Sequence, residues 1–355
     1  MLFVDYMQRE IKLLYLYLGI SVPPFPPLDL PSMVYFSNEE MSKSLEATVK
    51  EELGLSVLKG TGQGGGGCIN QGSVYDTDKY GKIFIKVNSK SGARTMFDGE
   101  FASLEALRAP NIVQVPKPIK VVDQPGGGSA LIMEYVAMSG GLRKYASRFG
   151  EQLARLHYYN STLENKAKKT EGSIHKDESS DGYISQFGFH VNTCCGYLEM
   201  VNTWCNDWTT FYANKIELQV KMTEEKGDRK ARELWNKLHI KFPRFFDGLI
   251  IKPAIVHGDL WGGNVSENDK GPLMFDPASF YGHSEYDLGI SYLFGGFNSQ
   301  FYKAYHNIIP KAPGFEKRKN LYELFHYLNH WNHFGGGYRG SSISTMEACI
   351  NHVYT

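Results

Sequence analysis

Three side chains within one short stretch of this sequence could do chemistry together. Asp259 stands in the run His257-Gly258-Asp259, Asn264 follows five positions later, and an apolar run ends in Asp276. A carboxylate that can take the proton of an attacking hydroxyl, beside an amide and a second carboxylate that can hold magnesium, is the equipment of phosphoryl transfer. Asp259 is therefore read as the catalytic base, and Asn264 and Asp276 as the magnesium-holding pair. Ile255-Val256 reads as a short buried strand entering the loop, and Leu273-Met274-Phe275 as a second strand that presents Asp276. The bland alternative, an acidic turn between two strands, leaves the three-way spacing to chance.

The loop also narrows the acceptor. Protein kinases carry an arginine before the catalytic aspartate, where it pairs with an activation-loop phosphate. Here that place is taken by Gly258, and Asp276 is followed by Pro277-Ala278. Little chain separates Asp276 from the GHSEYDLGI segment at 282–290, so an activation loop and a peptide-docking shelf have no room. The acceptor is expected to be a small molecule or a small adduct.

Phosphoryl transfer needs a nucleotide-holding half, and it should lie upstream. The segment 60–72 reads GTGQGGGGCINQG, with Gly62, Gly64 and Gly67 at GxGxxG spacing. Glycines at Gly64, Gly65, Gly66 and Gly67 let backbone amides reach phosphate oxygens with no side chain intervening. A Rossmann site would open a helix at this point, whereas these glycines lead into a strand, Ile83 to Val87. Lys86 inside that strand is out of place on a buried face unless it meets a partner such as the ATP phosphates. Glu100, fourteen residues on in a helical stretch read as Phe97 to Arg108, is placed to pair with it. Ala130 to Met133, ending in Glu134-Tyr135-Val136, has the form of a hinge strand whose backbone binds adenine.

These segments also carry a family likeness. VHGDLWGGNV at 256–265, FDPASFYGHSEYDLGI at 275–290, IPKAPGFEKR at 309–318, YLNHWNHFGGGYRGSS at 327–342, FGFH at 187–190 with TCCGYL at 193–198, and the GGGGCI loop at 64–69 together resemble the fructosamine-3-kinase family. Glu316-Lys317-Arg318 and Tyr338-Arg339-Gly340-Ser341-Ser342 resemble its ketosamine-3-kinase branch. The resemblance runs from about residue 41 to the C-terminus. It implies a bilobal α+β fold, protein-kinase-like and aminoglycoside-phosphotransferase-like, with ATP and Mg2+ in the cleft. It also implies phosphorylation of the third carbon's hydroxyl in ketosamines, on glycated proteins or free. The phosphate then leaves, the adduct decomposes, and the amine is freed. Under this resemblance Lys86 binds the ATP phosphates, Glu100 holds Lys86, Glu134 to Val136 line the adenine site, Asp259 is the base, and Asn264 and Asp276 hold the metal. Trp261, His330 and Trp331 either face the sugar or pack in the core.

Composition fits that expectation. Lys plus Arg number 38 against 38 Asp plus Glu, so no global field favours nucleic acid or an anionic membrane surface. Five cysteines without metal-type spacing suit a reducing compartment, and a cytoplasmic enzyme is expected. Cys194-Cys195 is expected to pack as small apolar side chains. Cys68, among backbone amides that favour a thiolate, either packs under its loop or acts as a redox switch. Its oxidation would tie two chains together, so the expected state is a monomer or a redox-dependent homodimer.

The organisation expected is an N-terminal extension over 1–40, a nucleotide-binding lobe over 41–136 and a mainly helical catalytic lobe over 137–355. The extension is proline-rich and its longest apolar run, Leu13 to Ile20, is too short to span a membrane, which leaves a dispensable arm or the product of an upstream start. A helix is expected over Phe149 to His157, followed by a mobile polar loop over 160–182. Two other functions share some of these features. A choline or aminoglycoside kinase would have the same loop but more acidic groups around a cation, and a pseudokinase scaffold is disfavoured by the presence of Lys86, Asp259, Asn264 and Asp276.

Overall fold

The computed structural model describes residues 38–66, 69–171 and 182–352 of the chain. The expected extension over 1–40 therefore lies outside the described residues as far as position 37, and so do Gly67 and Cys68. Two compact units are formed, one from the chain up to Phe97 with Pro118–Tyr135, the other from Asp98–Lys117 with the chain from Val136 onward.

The first unit is a five-stranded antiparallel sheet with a helix on one face. Helix α1 (Asn38–Leu53) precedes strands β1 (Leu58–Gly66), β2 (Gln71–Thr77) and β3 (Gly81–Asn88), and after helix α2 (Ala93–Arg108) come β4 (Pro118–Asp123) and β5 (Ser129–Glu134). Spatial order is β1-β2-β3-β5-β4. Alternation along β3 explains why the helix docks where it does. Ile83 and Ile85 point to one face and are fully buried with Leu45, Val49 and Leu53 of α1, which recur every fourth residue. Each such aliphatic side chain stabilises the unit by about 1.5–3 kcal/mol on burial. Lys86 falls on the opposite face by the same period, paired in register with Gly72 and Leu131.

The second unit is mainly helical. Helix α3 (Ala146–Glu171) leads to the short strands β6 (Thr193–Cys195) and β7 (Leu198–Met200), then to α4 (Trp208–Glu225) and α5 (Arg229–Lys241). Strands β8 (Ala254–Val256), β9 (Val265–Asn268), β10 (Gly271–Met274) and β11 (Phe280–Gly282) follow. Helices α6 (Glu285–Phe294), α7 (Ser299–His306), α8 (Phe315–Phe334) and α9 (Arg339–His352) complete it. The core of this unit is aromatic, with Trp208 stacked on Tyr212 at 5.3 Å and both packed against Tyr322. The Arg318 guanidinium is buried there, bound by two nitrogens to the Glu285 carboxylate at 2.7 and 2.8 Å. Among the described residues no helix is long and apolar enough to cross a membrane.

One expectation fails here. Residues 160–171, read as the start of a mobile loop, continue helix α3 to Glu171. The face they bury is polar, which hid it from a hydrophobic pattern. The Asn160 amide donates to the carbonyls of Ile184 and Pro253 and accepts from the Ile184 N–H, while Glu164 takes Lys168 one turn on and Lys252. Residues 172–181 of that expected loop lie outside the described residues.

Candidate active site

The topology of the second unit brings the two loop carboxylates, Asp259 and Asp276, onto neighbouring crossings. β8 pairs with β11, and β9 pairs with β10, so the chain crosses from one two-stranded ribbon to the other and back. Residues 257–264 make the outward crossing and 275–279 the return. Backbone bonds clamp the two crossings, Ala278 N–H to His257 C=O at 2.9 Å and Phe275 N–H to Asn264 C=O at 3.0 Å. Asp259 rides on one crossing and Asp276 on the other.

Close approach of the crossings explains the glycine in the loop. Gly258 has φ of +86°, and a Cβ there would lie 2.0 Å from the Ala278 carbonyl oxygen. An arginine is excluded by that geometry before any question of its function arises. Gly258→Ala is accordingly expected to cost more than about 1 kcal/mol in urea unfolding and to lower kcat at least about 10-fold, since the loop must move to admit a methyl group. Wild-type stability and turnover in that variant would show that the crossings are not packed this way. Gly263 is constrained on the other side of Asp259, because a Cβ there would meet the Trp261 ring at 2.2 Å.

Asp287 anchors the outward crossing. Fully buried in α6, it accepts the backbone N–H of His257 at 2.7 Å and of Gly258 at 2.9 Å, and bonds His157 Nε2 at 3.2 Å. His257 is held in turn, its Nε2–H donating to Phe275 C=O at 3.0 Å while Nδ1 faces the Asp259 N–H at 3.3 Å. Burial keeps the pKa of this imidazole below its ordinary value.

Asp259 accepts the Asn264 side-chain N–H at 3.0 Å, and the same amide nitrogen bonds the Asp259 carbonyl oxygen at 2.9 Å. The Cys195 thiol lies 3.8 Å from the other carboxylate oxygen. The carboxylate titrates at about 7, pushed up chiefly by burial and further by the negative charges of Asp276 and Asp287, against the pull of the Asn264 and Cys195 hydrogen bonds. A base works best with a pKa near the working pH.

Asp276 is exposed and has φ of +55°, one of two non-glycine residues with positive φ among the described residues. Aspartate tolerates the left-handed region better than most side chains, and strain of this kind is characteristic of functional positions. The donor set fits magnesium. With its nitrogen committed to Asp259, Asn264 presents a carbonyl oxygen, and Asp276 adds a carboxylate, both of them ligands that a hard cation prefers.

The other sequence-predicted residues distribute as follows. Gly64, Gly65 and Gly66 end β1, opposite Ser73, Gly72 and Gln71 of β2. Lys86 and Glu100 are both buried, Lys86 on β3 in the first unit and Glu100 on α2 in the second. Glu134 ends β5 and the Tyr135 N–H donates to Lys82 C=O at 3.2 Å. Trp261 and His330 both pack against Phe294, at ring distances of 6.4 and 4.5 Å. Trp331, the next position on α8, points elsewhere, and its buried ring lies under the Arg339 guanidinium at 5.8 Å.

Several polar side chains around Asp259 escaped sequence reasoning. His326, Asn329, His330 and His333 recur at three- and four-residue intervals, so α8 carries them on one face. Asn329 bonds the Cys195 carbonyl and His333 accepts the Tyr197 N–H at 3.0 Å, which docks the β6–β7 hairpin on that face. Cys195 thus reaches the Asp259 carboxylate, a contact its expected packing did not include. The signal was present as the polar period of α8, but the pairing with TCCGYL is set only by the fold. Lys215 is also buried, donating to Asn202 Oδ1 at 2.8 Å and lying 4.3 Å above the Phe280 ring, with its pKa pushed down to about 7 by burial.

The buried imidazoles give a pH signature for the whole unit. Burial, with the nearby Arg318 charge, pushes His283 down to about 3, and burial pushes His330 down to about 4. Their folded pKa lies below the unfolded value of about 6.5, so the unfolded chain binds more protons as pH falls. Their contribution is complete above about pH 6.5 and is withdrawn on acidification, at about 1.4 kcal/mol per pH unit for each group. The fall in unfolding temperature between about pH 7 and pH 5 should therefore be smaller in His330→Gln than in the wild type. Equal slopes would mean that His330 protonates freely in the folded chain.

Two hydrogen-bonded crossings that bring an aspartate, an asparagine and a second aspartate together are carried on an α+β fold of the protein-kinase-like class. The fold agrees, since the chain superposes on a putative fructosamine-3-kinase from Haemophilus somnus 129PT with a TM-score of 0.68 at 23% identity, covering 89% of this chain and 99% of that one. It also superposes on the aminoglycoside phosphotransferase APH(4)-Ia with a TM-score of 0.52 at 12% identity, covering 88% and 98%.

Residues 41–352 match the fructosamine kinase family model, and the chain belongs to that family. It is 57% identical to the mouse ketosamine-3-kinase over 85% of this chain and 99% of the relative. It is 39% identical to the chloroplastic protein-ribulosamine 3-kinase of Oryza sativa subsp. indica, over 82% of this chain and 78% of the relative.

Proposed function

We propose that the chain uses ATP to phosphorylate the 3-hydroxyl of ketosamines, with protein-bound ribulosamines and psicosamines as its main substrates and protein deglycation as the outcome. The observation that carries this reading is the Asp259 carboxylate, held by Asn264 on a crossing tied to the one that bears Asp276. The names of the mouse and rice relatives supply the substrate class.

In this reading Asp259 orients the sugar hydroxyl and takes its proton. Asn264 holds the carboxylate in place through its N–H, and its carbonyl oxygen with Asp276 holds Mg2+. When bound, Mg2+ neutralises charge on the phosphates. Residues 41–136 act as the nucleotide-holding lobe, in which Gly64 to Gly67 and Lys86 bind phosphates, Glu100 supports Lys86 and Glu134 to Val136 take the adenine. Residues 137–355 carry the chemistry. Trp261 and His330, which both pack against Phe294, are the aromatic surface offered to the sugar. Free cysteines at Cys194, Cys195, Cys205 and Cys349 support a reducing, cytoplasmic setting.

Turnover of ATP against ribulosamine, psicosamine, fructosamine and choline tests this reading. Ribulosamine and psicosamine are expected to be used well and fructosamine poorly, because a hydroxyl of the wrong orientation cannot reach Asp259. Equal kcat/KM for fructosamine and ribulosamine would reject the substrate preference. Choline as the best acceptor would reject the ketosamine reading altogether.

A further inference from the structure

Helix α8 turns His326 toward the catalytic base and gives it no hydrogen bond. Both ring nitrogens are buried without a partner, on a side chain with no solvent exposure. Leaving such an atom dry costs about 1–3 kcal/mol, so a buried imidazole with two unmet nitrogens calls for a ligand. Its ring neighbours Tyr286 and Phe325, at 5.3 and 5.2 Å between centroids, provide packing only. On the remaining side stand Cys195 and Asp259. One donor atom from each of Cys195, Asp259 and His326 lies within 4.8 Å of the other two.

We propose that Cys195, Asp259 and His326 form a binding site for a zinc-class divalent cation, and that a cation bound there stops phosphoryl transfer by taking the catalytic carboxylate. Sulfur, nitrogen and carboxylate oxygen are the donors zinc prefers, and three protein ligands leave its fourth position for water. Magnesium, a hard cation, has no use for the sulfur or the imidazole, so the site is chemically distinct from the all-oxygen pair of Asn264 and Asp276. The ligands come from three elements that are already fixed to one another. Cys195 ends β6, whose hairpin is pinned to α8 by Asn329 and His333, and His326 lies on the same face of α8. Asp259 is the one of the three that is not fully buried. On binding, the Cys195 S–H bond breaks, the proton goes to solvent and a sulfur–metal bond forms, while His326 binds as the neutral imidazole through one lone pair. No electron is transferred.

The inhibitory half of the proposal rests on Asp259 being the base, and binding and inhibition are measured separately for that reason. Co2+ serves as the zinc-class probe, because thiolate bonding to it gives a charge-transfer absorption in the near ultraviolet. One equivalent of Co2+ added to the full chain without nucleotide should produce that band, and Zn2+ should displace it. The band should be lost in Cys195→Ser, kept in Cys194→Ser, and shifted to at least about 10-fold higher Co2+ concentration in His326→Gln. Zinc-edge X-ray absorption of the zinc-loaded wild type needs no variant and should show one sulfur with nitrogen and oxygen neighbours. A shell of nitrogen and oxygen alone, or a cobalt band that survives both Cys195→Ser and His326→Gln, would overturn the site. With saturating Mg-ATP, Zn2+ should abolish wild-type turnover and inhibit His326→Gln, relative to that variant's own rate, only at higher concentration. Full turnover with zinc bound would overturn the inhibition and count against Asp259 as the base.

Discussion

Asp259→Asn is expected to lower kcat by about 10²- to 10⁴-fold while leaving the affinity for ATP close to that of the wild type. The substitution keeps the shape of the side chain and an oxygen for the Asn264 N–H, and it replaces by a neutral amide the basic carboxylate that the proposed mechanism uses to take the hydroxyl proton. Asn264→Ala and Asp276→Ala should behave differently, since in the proposed mechanism their oxygens hold magnesium. In those variants the magnesium dependence of ATP binding weakens together with kcat. Near-wild-type turnover in Asp259→Asn, measured with the best ketosamine, would remove Asp259 from the role of base.

The second large effect is expected from Asp287→Ala. This substitution strips the partner from two buried backbone N–H groups, those of His257 and Gly258, and from Nε2 of His157. Each orphaned donor costs about 1–3 kcal/mol. A loss of about 3–5 kcal/mol in urea unfolding should result, a size usual for breaking a buried polar network. Where the variant remains folded, kcat should fall by about 10²-fold, because the crossing that carries Asp259 loses its anchor. Asp287→Asn should be milder, as its carbonyl oxygen still accepts one of the two N–H groups. An Ala variant as stable and as active as the wild type would show that the anchor is dispensable.

What could be read from the sequence was what is local in it. Asp259, Asn264 and Asp276 lie within twenty residues, and the order strand, loop, strand, strand, loop confines them to two crossings between the same ribbons. The burial of Lys86 could be anticipated for the same reason, as a charge on the strand that buries Ile83 and Ile85. The rest depends on long-range packing. Asp287 lay in plain view, but its partners are backbone amides, which no residue type announces. Cys195 and His326 come from a hairpin and a helix far apart in sequence, and each alone looks like a core residue. The extension of α3 beyond His157 was missed because Asn160 and Glu164 make its buried contacts with hydrogen bonds and ion pairs rather than with apolar area. Gly258 was noticed as a missing arginine, whereas the contact with the Ala278 carbonyl shows why only glycine fits.

Mass spectrometry of a ribulosamine-modified protein incubated with Mg-ATP and the full chain tests the central claim most directly. The wild type should add one phosphate to each modified lysine, with 31P–1H correlation placing it on the third carbon's oxygen and the unmodified lysine appearing as the adduct decomposes. Asp259→Asn should leave the adduct unchanged over the same time. A modified protein whose mass stays constant with the wild type, or a phosphate found on another oxygen of the sugar, would contradict the account.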